Sequence, residues 1–334
     1  MQKPYILITG ANGEMGHGLI SALSKKNNFN IITLDLNEID SSIKKFCSKI
    51  YTGSILDDKL INKLNTKYQF KTIYHLAALL STKAELNPEL AHKINVEGTI
   101  NILMLAINQS KKQTNSIQFF FPSSIAVYGL KNLGEKNKVG SIKEDKYNNP
   151  YTMYGCNKLY CEHLGKYYSK KNINDNIQKA CVDFRSIRFP GIISSKTLPT
   201  GGTSDYIPEM LHSAANGKPY ECFVNKKTQI PFMTMPDAIQ AIMKFMDTPK
   251  NKLNRSIYNI RAFAPTAEEF RKKLIEVFPN TEITYNINTK RQQMIDGWPK
   301  DIDDSAAKLD WNWKATHDLN RGLNNYLIPD LKNI

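Results

Sequence analysis

Tyr154 and Lys158 stand four residues apart in the stretch Tyr-Thr-Met-Tyr-Gly-Cys-Asn-Lys that ends at Lys158. On a helix that spacing puts both side chains on one face. A free phenol has a pKa of about 10, so roughly one part in a thousand is phenolate at neutral pH. One ammonium about 4 Å away supplies on the order of 4 kcal/mol at an effective dielectric of about 20, enough to bring that pKa near 7. The pair is therefore sufficient to make a proton acceptor for an alcohol. Alone, the same residues also describe any amphipathic helix that carries a Tyr and a Lys.

Three further groups give the pair a context. Ser123 and Ser124 follow the apolar run Ile117–Phe121. Hydroxyls at the carboxyl end of a parallel strand face the crevice where such sheets bind ligands. Gly10, Gly13 and Gly16 follow the run Tyr5-Ile6-Leu7-Ile8, in Thr-Gly-Ala-Asn-Gly-Glu-Met-Gly. After a strand and before a helix, such glycines allow a tight turn and a close approach of backbone to a pyrophosphate. The next helix, from Met15 to Ser24, points its N-terminus at the phosphates. Asp35 ends a second strand, Ile31-Ile32-Thr33-Leu34, 19 residues past Gly16. An acid there accepts hydrogen bonds from ribose hydroxyls and repels a 2′-phosphate, so NAD is expected over NADP.

These residues need elements to hold them. A third strand near Lys49–Thr52 leads to Ser54, and a fourth, Thr72–Leu76, leads to Ala77, Ala78 and Ser81. A helix is expected from about Pro88 to Ser110, carrying Asn95. Residues 130–150 read as a polar surface loop, followed by the Tyr154 helix to about Lys170. A sixth strand is Cys181–Phe189. Strands and helices alternate without a tandem repeat, which is the pattern of an α/β doubly wound parallel sheet of the Rossmann type. Beyond Gly191 the alternation fails. A helix at Met235–Met246 and a strand at Ser256–Ile260 return to the sheet. The expected division is 1–190 plus about 229–261 for a dinucleotide-binding domain, and about 191–228 plus 262–334 for a smaller substrate lobe.

Composition excludes other classes. At 334 residues with 41% hydrophobic content, the chain is long and apolar enough for a sizeable core. No apolar run approaches the ~18 residues that span a bilayer. The first strand begins at Tyr5, which leaves no room for a presequence, so a cytoplasmic location is expected. The net charge of +14 is spread over scattered lysine pairs without interleaved aromatics, which points away from a nucleic-acid or membrane surface. Five cysteines, at 47, 156, 161, 181 and 222, show no CxxC spacing. That argues against a disulfide framework and a zinc site.

Together these motifs resemble the extended short-chain dehydrogenase/reductase superfamily, with Ser124 before Val127-Tyr128-Gly129. His75–Ser81, Phe120–Val127, Gly201–Tyr206, Met235–Ile239, and Trp298-Pro299 with Ile302–Ser305 resemble its branch of short-chain threonine dehydrogenases. The resemblance implies oxidation of L-threonine at C3 to 2-amino-3-ketobutyrate with NAD and without metal, in threonine catabolism. It implies Ser124, Tyr154 and Lys158 as catalytic residues. It implies cofactor contacts at Gly10, Asn12, Gly13, Glu14, Met15, Gly16, Asp35, Ser54, Leu76, Ala77, Ala78, Asn95, Tyr154 and Lys158. Substrate contacts fall on Ser81, Ser124, Tyr154, Thr203, Asp205 and Trp298. Relatives pair through the Tyr154 helix and the helix preceding Ser110, so a homodimer is expected. Ser54, the length of 130–150, and Arg261-Ala262 depart from the usual pattern.

Two alternatives remain open at this point. A nucleotide-sugar epimerase or dehydratase shares the first-half motifs and needs cations for a diphosphate; Arg185 and Arg188 are the candidates. An NAD-sensing regulator shares the fold but typically lacks the Tyr or the Lys.

Overall fold

In the computed structural model, residues 3–169, 182–199 and 202–332 are described. The starts of the strand placed at Cys181 and of the stretch at Gly201, and the helix end at Lys170, fall outside them. The strands are β1 (Tyr5–Thr9), β2 (Asn30–Asp35), β3 (Lys49–Thr52), β4 (Phe70–His75), β5 (Ile117–Ser124), β6 (Ser141–Ile142) and β7 (Val182–Phe189). They continue with β8 (Gly191–Ile193), β9 (Tyr220–Cys222), β10 (Phe232–Thr234), β11 (Ile257–Asn259), β12 (Ile283–Tyr285) and β13 (Asp301–Ile302).

Seven strands form one parallel sheet in the order β11-β7-β5-β4-β1-β2-β3. Continuous apolar runs such as Ile6-Leu7-Ile8 suit strands covered on both faces; all three residues are fully buried. Helices Glu14–Lys26 and Met235–Asp247 cover one face, and Asp58–Lys67, Gly98–Gln113 and Met153–Ser169 the other. The chain steps outward from β1 to β2 and β3, then returns to β4 on the opposite side. The carboxyl ends of β1 and β4 therefore flank the crevice at which such sheets hold ligands. Strand β11 joins the sheet beside β7, with Tyr258 opposite Ile187. A second apolar cluster gathers Ile125–Tyr128, the helix Tyr206–Ala215, Trp298 and the tail residues Leu323 and Leu327.

Residues 130–150 are not the surface loop expected. Leu130, Ile142, Lys136 and Glu144 are buried, a helix spans Leu133–Lys138, and β6 pairs with β13 of the tail. The Asn132 side chain caps that helix by accepting from the Glu135 N–H at 2.9 Å. The segment is rich in Lys and Asn, yet a few spaced apolar residues dock it.

Arg185 and Arg188 are committed to the framework and are not diphosphate ligands. Arg185 forks onto Asp183 Oδ2 at 2.7 and 3.1 Å and donates to the Phe245 and Thr248 carbonyls at 2.6 and 2.7 Å. It thus closes the C-terminal end of helix Met235–Asp247. Arg188 grips both Glu162 oxygens at 2.8 and 2.6 Å and the Glu144 carbonyl at 2.8 Å, with its guanidinium over the Tyr128 ring.

The Arg188–Glu162 pair is fully enclosed, and it ties the Tyr154 helix to β7. Arg188→Met leaves Glu162 buried without its cation and should cost about 3–5 kcal/mol of stability. The double variant Arg188→Met/Glu162→Leu should recover most of that loss in urea denaturation. If the double variant is as unstable as the single one, the charge pair is not what anchors the helix.

Candidate functional site

The glycine turn is built for close contact. Gly10 sits at φ +66°, and a Cβ there would lie 2.5 Å from the Ala77 nitrogen. At Gly16 a Cβ would meet the Ala11 carbonyl oxygen at 2.3 Å. The turn therefore lies flat against Leu76 and Ala77, whose N–H groups donate to the Thr9 carbonyl at 3.0 Å and the Thr9 hydroxyl at 3.4 Å. Between Thr9 and Thr99, His75 is bonded through both ring nitrogens, and burial pushes its pKa down to about 3. It is a neutral spacer.

Asp35 stands at the carboxyl end of β2. One carboxylate oxygen accepts from the Asn12 N–H at 2.9 Å, the other from the Asn37 N–H at 3.0 Å. The carboxylate is thereby aimed across the top of the glycine turn. Ser54 Oγ accepts from the Leu56 N–H at 3.1 Å, and Met15 packs into the core cluster beneath the turn. Side chains that would obstruct a dinucleotide are absent at Gly10, Gly13 and Gly16, and an acid waits where a ribose belongs. The residues fit a dinucleotide on these grounds.

Two of the cofactor candidates are also framework residues. Asn95 lies in a π-helical turn, Lys93–Glu97, and clamps Leu79: its Oδ1 accepts from Leu79 N–H at 2.7 Å and its Nδ2 donates to Leu79 O at 3.0 Å. It fixes the backbone between Ala78 and Ser81. Glu14 opens helix Glu14–Lys26, and its carboxyl lies near the hydroxyls of Ser194 and Thr197, with Oε1 buried and without a hydrogen-bond partner. Burial pushes its pKa up, and the nearby Asp205 adds to the rise. Glu14 thus faces the segment after β8 from the glycine turn.

The Tyr154 helix is seated by its small residues. A Cβ at Gly155 would lie 2.1 Å from the Ala126 carbonyl oxygen, so only glycine lets the helix descend onto the turn Ile125–Val127. Ser124 caps that turn, its Oγ accepting from the Ala126 N–H at 3.1 Å. The helix start is held by Thr152 Oγ1, which accepts from Gly155 N–H at 3.1 Å, and by Glu85, which accepts from Met153 N–H at 2.6 Å. Glu85 belongs to the short helix that begins at Ser81, so Ser81 is tied to the same frame.

Lys158 is almost completely buried. Its Nζ donates to the Pro122 carbonyl at 2.7 Å, lies 4.5 Å over the Phe121 ring, and is 5.4 Å from the centre of the Tyr154 ring. Burial brings its pKa down to about 8, partly offset by Cys161 and Glu162. Burial pushes the Tyr154 phenol up. The ammonium–phenolate contact expected from the spacing is not made here, because the ammonium rests on the end of β5 instead.

The substrate candidates form a second group. Thr203 Oγ1 donates to Ser81 Oγ at 3.4 Å, and Asp205 Oδ2 accepts from the Gly202 N–H at 2.6 Å. Arg291 donates to the Gly202 carbonyl at 2.7 Å from helix Thr289–Asp296. That helix runs directly into Gly297 and Trp298, and the Trp298 side chain is buried in the second cluster. The structure joins Ser81 to Thr203 and records no such bond from Trp298 to either.

Sequence reasoning missed Gly155, Glu85 and Glu162. Gly155 sits inside the Tyr154/Lys158 spacing, and its meaning appears only once the Ala126 carbonyl is opposite it.

These features match one family description. Residues 6–260 match the NAD dependent epimerase/dehydratase family, and the chain belongs to that family. It is 32% identical to the mitochondrial L-threonine 3-dehydrogenase of Sus scrofa over 95% of this chain and 80% of that protein. The solved L-threonine 3-dehydrogenase of Trypanosoma brucei superposes with a TM-score of 0.85 at 34% identity, over 100% of this chain and 99% of the other. A monomeric L-threonine 3-dehydrogenase from a metagenome superposes with a TM-score of 0.84 at 35% identity, over 98% and 99%. A nucleotide-sugar epimerase is not favoured, and the buried Arg185 and Arg188 agree with that.

Gly155→Ala should force the helix away from Ala126 and lower kcat by roughly ten- to a hundredfold through misplacement of Tyr154. NADH affinity, read by fluorescence titration, should fall less than kcat, since the glycine turn is untouched and only the Lys158 end of the cleft moves with the helix. An unchanged kcat would show that the close approach does not position the tyrosine.

Proposed function

We propose that the protein is an NAD-dependent dehydrogenase that oxidises L-threonine at C3 to 2-amino-3-ketobutyrate. The observation that carries this reading is that helix Met153–Ser169 rests Lys158 on the Pro122 carbonyl at the carboxyl end of β5, with the ammonium 5.4 Å from the centre of the Tyr154 ring. Full-length relatives named for that activity support it.

A bound nicotinamide would supply the acceptor for the C3 hydride, and Gly10, Gly13, Gly16 and Asp35 would hold its dinucleotide. The remaining work belongs to the chain. Tyr154 takes the proton of the C3 hydroxyl as the carbonyl forms. Ser124 donates to the substrate oxygen and holds it against Tyr154. Lys158 turns from the Pro122 carbonyl toward the phenol. At about 4 Å and an effective dielectric of about 20, its charge contributes about 4 kcal/mol, or about three pKa units, against the rise that burial imposes. Ser81, Thr203 and the Trp298 indole are donors suited to the substrate carboxylate, and Asp205 has the sign for its ammonium. Asn12, Glu14, the glycines, Met15, Ser54, Leu76, Ala77, Ala78 and Asn95 line or brace the dinucleotide cleft. Asp35 selects NAD over NADP.

Exposed Tyr160 and Tyr167 on the Tyr154 helix offer an apolar face for a second copy, and a homodimer through that face is part of this reading. One similar structure is described as monomeric, so size-exclusion chromatography with light scattering decides it.

The test is NADH absorbance with purified protein, NAD or NADP, and L-threonine, L-allo-threonine, L-serine or UDP-glucose in turn. NADH should form with L-threonine and NAD, with NADP at least tenfold poorer in kcat/KM. Asp35→Ala should narrow that gap. Turnover of UDP-glucose without threonine oxidation would replace the reading.

A further inference from the structure

Lys136 is a lysine that is 4% exposed in a segment the sequence presents as surface. Its Nζ donates to the Ile295 carbonyl oxygen at 2.9 Å. The same carbonyl accepts the Trp298 N–H at 3.0 Å. Leu130, a few residues earlier, donates its N–H to the Gly297 carbonyl at 2.9 Å. Two bonds from residues 130–136 therefore grip the turn that links helix Thr289–Asp296 to Trp298.

The helix itself is a lever with two ends. Its first turn carries Arg291, which donates to Gly202 O and faces Glu209 at 3.5 Å. Gly202 opens the turn that holds Thr203 and Asp205. Its last turn carries Ile295, on which Lys136 rests. A cation at a helix C-terminus is favourable for the helix, and burial removes competition from water.

We propose that Lys136 is a positioning residue for the amino-acid end of the site, locking helix Thr289–Asp296 so that Trp298 and the Gly202–Asp205 turn keep a fixed separation. This rests on the threonine reading above and names the residue outside the pocket that sets substrate affinity. Burial also lowers the Lys136 pKa to about 8, with Asp296 raising it and Lys300 lowering it. The lock loses its charge as pH rises through that value.

Lys136→Met should raise KM for L-threonine about tenfold, the scale of one hydrogen bond from a charged donor. NADH affinity by fluorescence titration and kcat should stay within about twofold, and Lys136→Arg should restore KM. In the parent, KM should climb above about pH 8; in Lys136→Arg, whose guanidinium stays charged, that climb should be absent. An unchanged KM in Lys136→Met, while Trp298→Phe raises it, overturns the inference and leaves the threonine reading standing. If neither variant changes KM, the inference falls together with the Trp298 assignment; absence of L-threonine oxidation in the parent is what would overturn the threonine reading. A drop in NADH affinity that tracks KM in Lys136→Met also overturns it, because the effect would then be general loosening.

Discussion

The site depends on how closely one helix can be laid on the end of one strand. Helix Met153–Ser169 approaches the turn after β5 so tightly that any side chain at position 155 would strike the Ala126 carbonyl. That approach places Lys158 against the Pro122 carbonyl and within 5.4 Å of the centre of the Tyr154 ring. The position is held from behind by Glu162 on Arg188, and at the N-terminus by Glu85 and Thr152. Steric limits and buried charge pairs act together. Glycine permits the contact, and the ion pair prevents the helix from sliding out of it.

Burial has opposite effects on the two groups proposed to carry the reaction. Enclosing Lys158 weakens its hold on a proton, and enclosing Tyr154 strengthens the phenol's hold. Neither group is activated by burial. The useful quantity is their mutual interaction, which grows in the same low-dielectric surroundings that penalise each alone. A lysine resting on a carbonyl is a reserve of charge that can be moved by a short side-chain rotation. Its backbone seat keeps it nearby without committing it to a salt bridge.

The fold was legible where physics leaves a local trace. Ile6–Ile8 reads as a strand because a parallel strand covered on both faces has no polar side. Gly10, Gly13 and Gly16 read as a turn because of their spacing after a strand, and at Gly10 and Gly16 the backbone opposite leaves no room for a side chain. Tyr154 and Lys158 read as a pair because helical period aligns them. What was not legible is settled by distant partners. Nothing near Arg188 announces Glu162 and Glu144, and nothing near Lys136 announces Ile295, 159 positions along the chain. The polar letters of 130–150 suggested solvent because a buried lysine is uncommon. The spacing of Lys158 predicted a face, and could not predict that the ammonium would choose the end of β5 over the phenol.

The central claim is that the Tyr154 oxygen takes the substrate proton. Its most direct measurement is pre-steady-state NADH formation by a Tyr154→Phe variant that still binds NADH with parent affinity. The NADH burst with L-threonine should slow by at least about a thousandfold, within the range that positioned proton transfer contributes. A burst at the parent rate from that folded, dinucleotide-binding variant would contradict it.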